Sequence, residues 1–382
     1  MLNTALFSLL AFLLPACANA QAATETVKTA VSSTTIRELV LAGPRVRGIH
    51  LTCWGAGAAK TRKELIKKIS GSVINAVVIA VKETDGKVYI PGVEKAAAWG
   101  SHENAISDPE AMLNDFKAAG LYTVARIVVF KDKIVPKVRK DLAVRAPGGE
   151  LWRSRNGATW MDPYNHEVWD YNLDIAERCA KLGFDEIQFD YLRYPSEGNT
   201  SLCRYSKPHN RHTATANLKD FLNYARKRLA PYKVKISADV FGLTTSVKDD
   251  MGIGQDIKIL ASGADYVYPM MYPSHYAPGE YNLANPNAHP FKVISRGLKD
   301  AMGKLGPDYA RLRPYLQDFS MGWHYGPSEV RAQLLAARLN YLESWVLWNA
   351  GNKYTWAALT PQSYRAFVDP EYKPEEKTVP AK

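Results

Sequence analysis

Along the chain, short runs dense in β-branched and aromatic residues alternate with longer stretches whose apolar residues recur every three or four positions. Eight runs of the first kind stand out: Val46 to Trp54, Asn75 to Glu83, Tyr122 to Asp132, Phe184 to Arg193, Lys235 to Gly242, Ala264 to Pro273, Arg311 to Phe319 and Tyr341 to Asn349. The stretches between them have helical spacing. Over residues 168–182, Trp169, Leu173, Ala176 and Ala180 share a face, with Asp162 or Asn165 placed to cap it. Strands that alternate with helices build a parallel sheet, and eight such units close on themselves. The pattern therefore predicts the α/β class, as a single (β/α)8 TIM barrel over residues 46–350. A doubly wound sheet is the rival, but Gly55-Ala56-Gly57 is no GxGxxG turn and no GxxxxGK[ST] loop occurs.

The flanks have a different texture. Residues 1–20, MLNTALFSLLAFLLPACANA, form a short apolar run ending in Ala18-Asn19-Ala20, which reads as a cleavable signal peptide. Its core from Ala5 to Leu14 is too short for a bilayer of ~30 Å. The n-region carries no Lys or Arg, and Leu14-Pro15-Ala16-Cys17 resembles a lipoprotein cleavage box, so a lipid anchor on Cys17 is the alternative. Either route predicts a secreted, periplasmic or cell-envelope protein. Residues 21–45, rich in Ala, Thr and Ser, read as a flexible tether, and 351–382 as a partly disordered C-terminal extension. Beyond the leader only Cys53, Cys179 and Cys203 remain, a sparse set that allows at most one internal disulfide; Cys53 and Cys179 lie in apolar strand and helix patterns and read as buried thiols.

Length and a hydrophobic content of 46% guarantee a large core and leave one or two domains open. Charge says more about partners. The formal net charge is +11, none of it in the leader, which makes an acidic partner plausible. The basic residues are dispersed and no nucleic-acid-binding motif appears, so an anionic glycan or envelope surface fits and nucleic acid does not.

Barrel chemistry gathers where strands end at the C-terminal face. In the fourth run, side chains two apart share a face, so Glu186, Gln188 and Asp190 point inward while Ile187, Phe189 and Tyr191 point toward the helices. The fifth run repeats the device with Lys235, Ser237 and Asp239. Two carboxylates topping adjacent strands would lie ~5 to 10 Å apart, the separation at which one protonates a departing glycosidic oxygen while the other attacks the anomeric carbon or activates water. The bland alternative is that either Asp is neutralised by Lys82, which closes the second run, or by Arg126 in the third; a fixed cation there would also hold one carboxylate ionised. Asp318 ends the seventh run as a third inward candidate, with helix capping as its structural alternative. Trp54, Trp160, Tyr272, Trp323 and Trp348 lie at strand ends or in following loops, where aromatic faces stack on sugar rings unless they are ordinary core. Lys82, Arg126, Gln188, Arg193, Tyr272, His275, Asp318, Trp54, Trp160 and Trp348 are the candidate substrate contacts. Cys203, His209 and His212 fall close together after the fourth run, but the spacing matches no closed zinc site, and there is no GxSxG elbow. The reading calls for no cofactor and no metal.

Val46-Arg47-Gly48-Ile49-His50-Leu51-Thr52, Asn75 to Ile79, Ala125 to Lys131, Trp160-Met161-Asp162-Pro163-Tyr164-Asn165, Gly183 to Pro195, Ser237 to Gly242 and Met270 to Tyr276 together resemble the bacterial putative glycosyl hydrolase family, in order over roughly residues 46–350. That family resembles the amylase-type barrels, and the likeness implies that Asp190 is nucleophile or base and Asp239 the acid. Two positions depart from true amylases: Gln188 stands where they have Arg, and Asp239 where they have Glu. The leading expectation is a hydrolase of an extracellular or envelope polysaccharide. The alternatives are a non-catalytic glycan-binding barrel and, from a third class, a metal-dependent polysaccharide deacetylase.

Overall fold

The computed structural model describes residues 33–43 and 45–366. Eight strands form one closed barrel in sequence order: β1 (Arg47–Leu51), β2 (Ala76–Lys82), β3 (Tyr122–Val128), β4 (Glu186–Asp190), β5 (Lys235–Phe241), β6 (Tyr266–Met271), β7 (Tyr315–Gln317) and β8 (Trp345–Trp348). Each falls inside its predicted run. All neighbours are parallel, and β8 closes on β1 through the pairs Arg47↔Trp345 and Ile49↔Leu347. The single TIM barrel is therefore the fold.

Strands covered on both sides must be apolar on both, and β2 is buried at all of its seven positions. Outward residues such as Ile49, Val77, Ile127, Phe189 and Ala238 join one continuous layer with the helices. The lumen is a separate core holding Val78, Val124, Tyr268, Tyr272, Tyr315 and Val346. Helix His166–Leu182 starts at Asn165, whose side chain accepts from the Glu167 amide, and stops at Gly183, whose φ of 96° suits a residue without a Cβ. Helix Arg211–Leu229 opens with a capping box between Asn210 and Thr213.

The flanks are less detached than their composition suggests. Within the segment read as a tether, Ser33–Ala42 form a helix that buries Ile36 to 3% exposure, so only the residues before it remain as candidate tether. In the C-terminal extension, Ala358, Leu359 and Tyr364 pack into the core, and the Tyr354 hydroxyl donates to the His50 carbonyl. The signal peptide, the Cys17 anchor and the tail from residue 367 lie outside the described residues. Among those described, no helix is long and apolar enough to cross a membrane. Cys53, Cys179 and Cys203 are free buried thiols, and burial pushes the first up to about 12 and the last up to about 11.

Candidate active site

Among the apolar side chains of the lumen a column of polar groups rises from the bottom up. At its floor Glu186 accepts from Arg313 (2.7 Å), from Tyr268 (2.8 Å) and from Tyr122 (2.9 Å), while Arg313 lies over the Tyr266 ring. Arg313 was not a candidate from the sequence; nothing in its run marks a cation as facing inward below the strand proper. One step higher, Gln188 accepts from the Tyr315 hydroxyl at 2.7 Å. Asp190 is the next residue of the same face. Glu186, Gln188 and Asp190 thus all point inward, as the period of two requires.

Arg126 organises the top layer. Its Nε donates to Asp190 Oδ2 at 3.0 Å, and Nη2 contacts the same oxygen. Its Nη1 donates to Glu83 at 2.5 Å, and Nε lies 3.8 Å from Asp239 Oδ2. One nitrogen at 3.0 and 3.8 Å from the two aspartate oxygens keeps those oxygens within about 7 Å of each other. Asp190 takes a further hydrogen bond, 2.6 Å, from the Tyr191 amide on its other oxygen.

Asp239 lives differently. It is 1% exposed, neither oxygen has a hydrogen-bond partner, and it faces the same cavity as Asp190. Burial raises its pKa well above the usual carboxylate range; Asp190 adds to the rise and Arg126 opposes it. One carboxyl is therefore held by donors from Arg126 and an amide, while burial disfavours the charged form of its neighbour. Unequal environments for two close carboxyls are what separate a proton donor from a nucleophile or base.

Both open onto a cavity of about 530 Å³ above the lumen. Tyr272, His275 and Trp348 line it, as do Arg126 and Arg193, so five of the ten candidate contacts meet the carboxylate pair. Burial raises the Tyr272 hydroxyl, with Asp239 and Asp190 adding to it, so the phenol stays a neutral donor beside the acid. His50 was missed: fully buried, it stacks on Trp348 at 3.9 Å, and neither ring nitrogen has a partner. Burial lowers its pKa, with Arg126 adding to the shift, so it sits there as a neutral imidazole. Gly242 lines the wall at a close approach, since a Cβ there would meet the Met270 carbonyl at 2.5 Å.

The remaining candidates are elsewhere. Lys82 points away from the lumen: a bulge between Ala80 and Lys82 inverts the alternation of β2. Lys82 is instead fully buried against the helices, 3.0 Å from Asp132, donating to the Val128 carbonyl at 2.8 Å. The same bulge delivers Glu83 to Arg126, a residue that strict period-two counting assigns to the wrong face. Tyr191 is the converse case. Its φ of 50° breaks the alternation after Asp190 and turns it onto the cavity wall. Gln188 lies below the cavity with its amide nitrogen unpartnered. Trp160 is core, behind Arg193; Trp54 is 57% exposed on the short helix after β1, and neither it nor Trp323 lines the cavity. Asp318 accepts from the Thr355 amide (2.8 Å) and hydroxyl (2.6 Å), fastening the segment after β8 rather than facing substrate. Asp318→Ala should cost about 1–3 kcal/mol through the buried donors it strands, with turnover per folded molecule unchanged; denaturant melts beside active-site titration check both halves.

His209 accepts or donates at 3.0 Å with the Tyr164 hydroxyl and packs between Tyr194 and Tyr205, so it serves that aromatic cluster. Among the described residues no three His, Cys, Asp or Glu side chains are grouped to hold a metal ion.

Known proteins give this geometry a context. Over 85% of the chain the fold superposes on 98% of the PgaB (BpsB) glycoside hydrolase domain from Bordetella bronchiseptica, with TM-score 0.61 and 14% identity. An α-L-fucosidase isoenzyme from Paenibacillus thiaminolyticus gives TM-score 0.57 at 12% identity, covering 85% of this chain and 49% of that one. The α-galactosidase of Thermus thermophilus gives TM-score 0.51 at 12% identity, covering 89% and 66%. These are likenesses of fold. No curated protein sequence matches the chain. Residues 48–354, most of the barrel with its site, match the family described as putative glycosyl hydrolase domain, and the chain belongs to that family.

Proposed function

We propose that the protein hydrolyses glycosidic bonds in an extracellular or cell-envelope polysaccharide, with Asp239 as proton donor and Asp190 as nucleophile or base. The observation that carries this is the contrast within one cavity: Asp190 bound by Arg126 and an amide, and Asp239 buried without a hydrogen-bond partner. In the reaction the glycosidic oxygen takes the Asp239 proton as the bond to the anomeric carbon breaks. Asp190 attacks that carbon, or takes a proton from the water that does. Arg126 fixes the carboxylate, and Tyr272 and Trp348 supply aromatic faces for the ring. The apolar leader motivates export, and the charge of +11 favours an anionic polymer. N-terminal sequencing of protein from its natural host tests export: an intact Met1 would overturn it.

The assay is incubation of the purified protein with a panel of neutral and anionic envelope and capsular polysaccharides, with mass analysis of products. Shortened chains are expected. Retention of glycans with no mass change across the panel would instead identify a glycan-binding barrel. The pH profile is a second check. A donor must keep its proton, so with the Asp239 pKa raised, activity should persist well above the usual carboxylate range and fall as pH rises through that value.

A further inference from the structure

The chain segment that leaves β4 carries a second charge into the cavity. Arg193 is 3% exposed and lines the same wall as Asp190 and Asp239. Its guanidinium carbon lies 4.6 Å from the Phe241 ring centre, 4.8 Å from Tyr191 and 5.0 Å from Trp160. Nη1 donates to the Tyr194 carbonyl at 3.0 Å and to Ser196 Oγ at 3.1 Å. The aromatic faces and these two bonds lock the fork in place. They do not neutralise it.

Among the described residues Arg193 has no ion pair, although three carboxyl groups share its cavity. Each of those has another cation beside it: Asp190 is held by Arg126, Asp239 lies 3.8 Å from Arg126 Nε, and Glu197 lies 3.7 Å from Lys131. Burial lowers the Arg193 pKa, which Tyr191, Asp190 and Glu197 offset only in part. A buried cation costs free energy unless something pairs with it, and the planar fork of an arginine matches two oxygens of one anionic group. The position is suited to reading a substituent. Arg193 lines the cavity that Asp190 and Asp239 face, so it addresses a ring of the same bound chain.

We propose that Arg193 is the specificity residue of this cavity and that it binds an anionic group, the carboxylate or sulfate of an acidic sugar, on the glycan held beside Asp190 and Asp239. This rests on the hydrolase reading for its substrate class but on Arg193 alone for its charge preference, so the two can fail separately.

The experiment measures binding with full-length Asp239→Asn, which keeps the shape and neutral charge of the acid while stopping turnover. Oligosaccharides of a polyuronan, their carboxyl-reduced counterparts and the O-sulfated form of the reduced chain are titrated calorimetrically at low and high salt. The uronide should bind ~10- to 100-fold tighter than the reduced chain, and Arg193→Ala should erase that ratio. Tight binding of the sulfated chain would assign a sulfate-reading site, and weak binding a carboxylate-reading one; both support an anion site. Should Arg193→Ala fail to fold, Arg193→Gln, which keeps polar donors but not the charge, makes the same comparison against Arg126 as the remaining cation of the cavity. Equal binding of neutral and acidic chains, an acid preference that survives in Arg193→Ala, or no binding of any acidic chain would overturn the proposal. Cleavage is scored separately on the parent. Acid-selective binding without cleavage removes the hydrolase reading and leaves the anion site standing.

Discussion

Asp239→Asn should lower turnover of a natural polysaccharide by at least ~10² to 10⁴, the usual worth of a positioned proton donor, while leaving the fold intact. Asn keeps the shape of the carboxyl and, at neutral pH, its lack of charge. The loss should depend on the leaving group. A dinitrophenyl glycoside departs without protonation, so on it Asp239→Asn should recover most of the parent rate, whereas Asp190→Asn should stay inactive on both substrates. The two variants should also differ in stability. Because the folded pKa of Asp239 lies above its unfolded value of about 3.9, its contribution is intact below that value and is lost as pH rises through the folded pKa. Asn has no proton to lose, so Asp239→Asn should be more stable than the parent at neutral pH and converge with it in acid. Asp190→Asn should be destabilised, since it takes away the closest partner of Arg126. Measuring both rates and Tm against pH checks the assignment. Equal rate losses on activated and natural substrates would reverse or dissolve the roles.

How far the site was legible depends on where the chain keeps its local period. β4 and β5 hold to strict alternation, so Asp190 and Asp239 were readable as inward from spacing alone; Asp190 ends its strand, while Phe241 follows Asp239 on the same face. β2 does not, and nothing in Ile79-Ala80-Val81-Lys82-Glu83 announces the bulge that exchanges the directions of Lys82 and Glu83. Tyr191 escapes for the related reason that a single positive φ redirects it. The eight strands were visible because each is a short run bounded by helical spacing. The packing of helix Ser33–Ala42 was hidden because the stretch leading into it, rich in Ala, Thr and Ser, resembles a linker, although Ile36 and Val40 set the helix on the core. Aromatic identity was a poor guide. Trp348 and Tyr272 reach the cavity and Trp54 and Trp160 do not, a difference set by loop geometry that no residue type encodes.

Arg126→Met should be the most damaging single change to stability at this site, costing about 3–5 kcal/mol at neutral pH. The guanidinium is 4% exposed, stacks 5.1 Å from the Trp348 ring, and faces Glu83, Asp190 and Asp239 together. Met fills much of the same volume, so packing alone would cost little; what remains is Glu83 and Asp190 close together beside Asp239, without the guanidinium that bridged them. Their mutual repulsion is relieved by protonation. The gap in Tm between parent and variant should therefore narrow as pH falls toward the ordinary carboxylate range, because the variant regains stability where the parent gains none from that source. Combining Arg126→Met with Asp239→Asn should recover less than combining it with Asp190→Asn, since burial already disfavours charge on Asp239, which accepts no hydrogen bond from Arg126, whereas Asp190 accepts two. Thermal melts of the parent, the single variants and both doubles at several pH values supply the comparison. A gap that does not change with pH would mean that Arg126 acts by packing against Trp348, and the electrostatic account of the carboxylate pair would have to be abandoned.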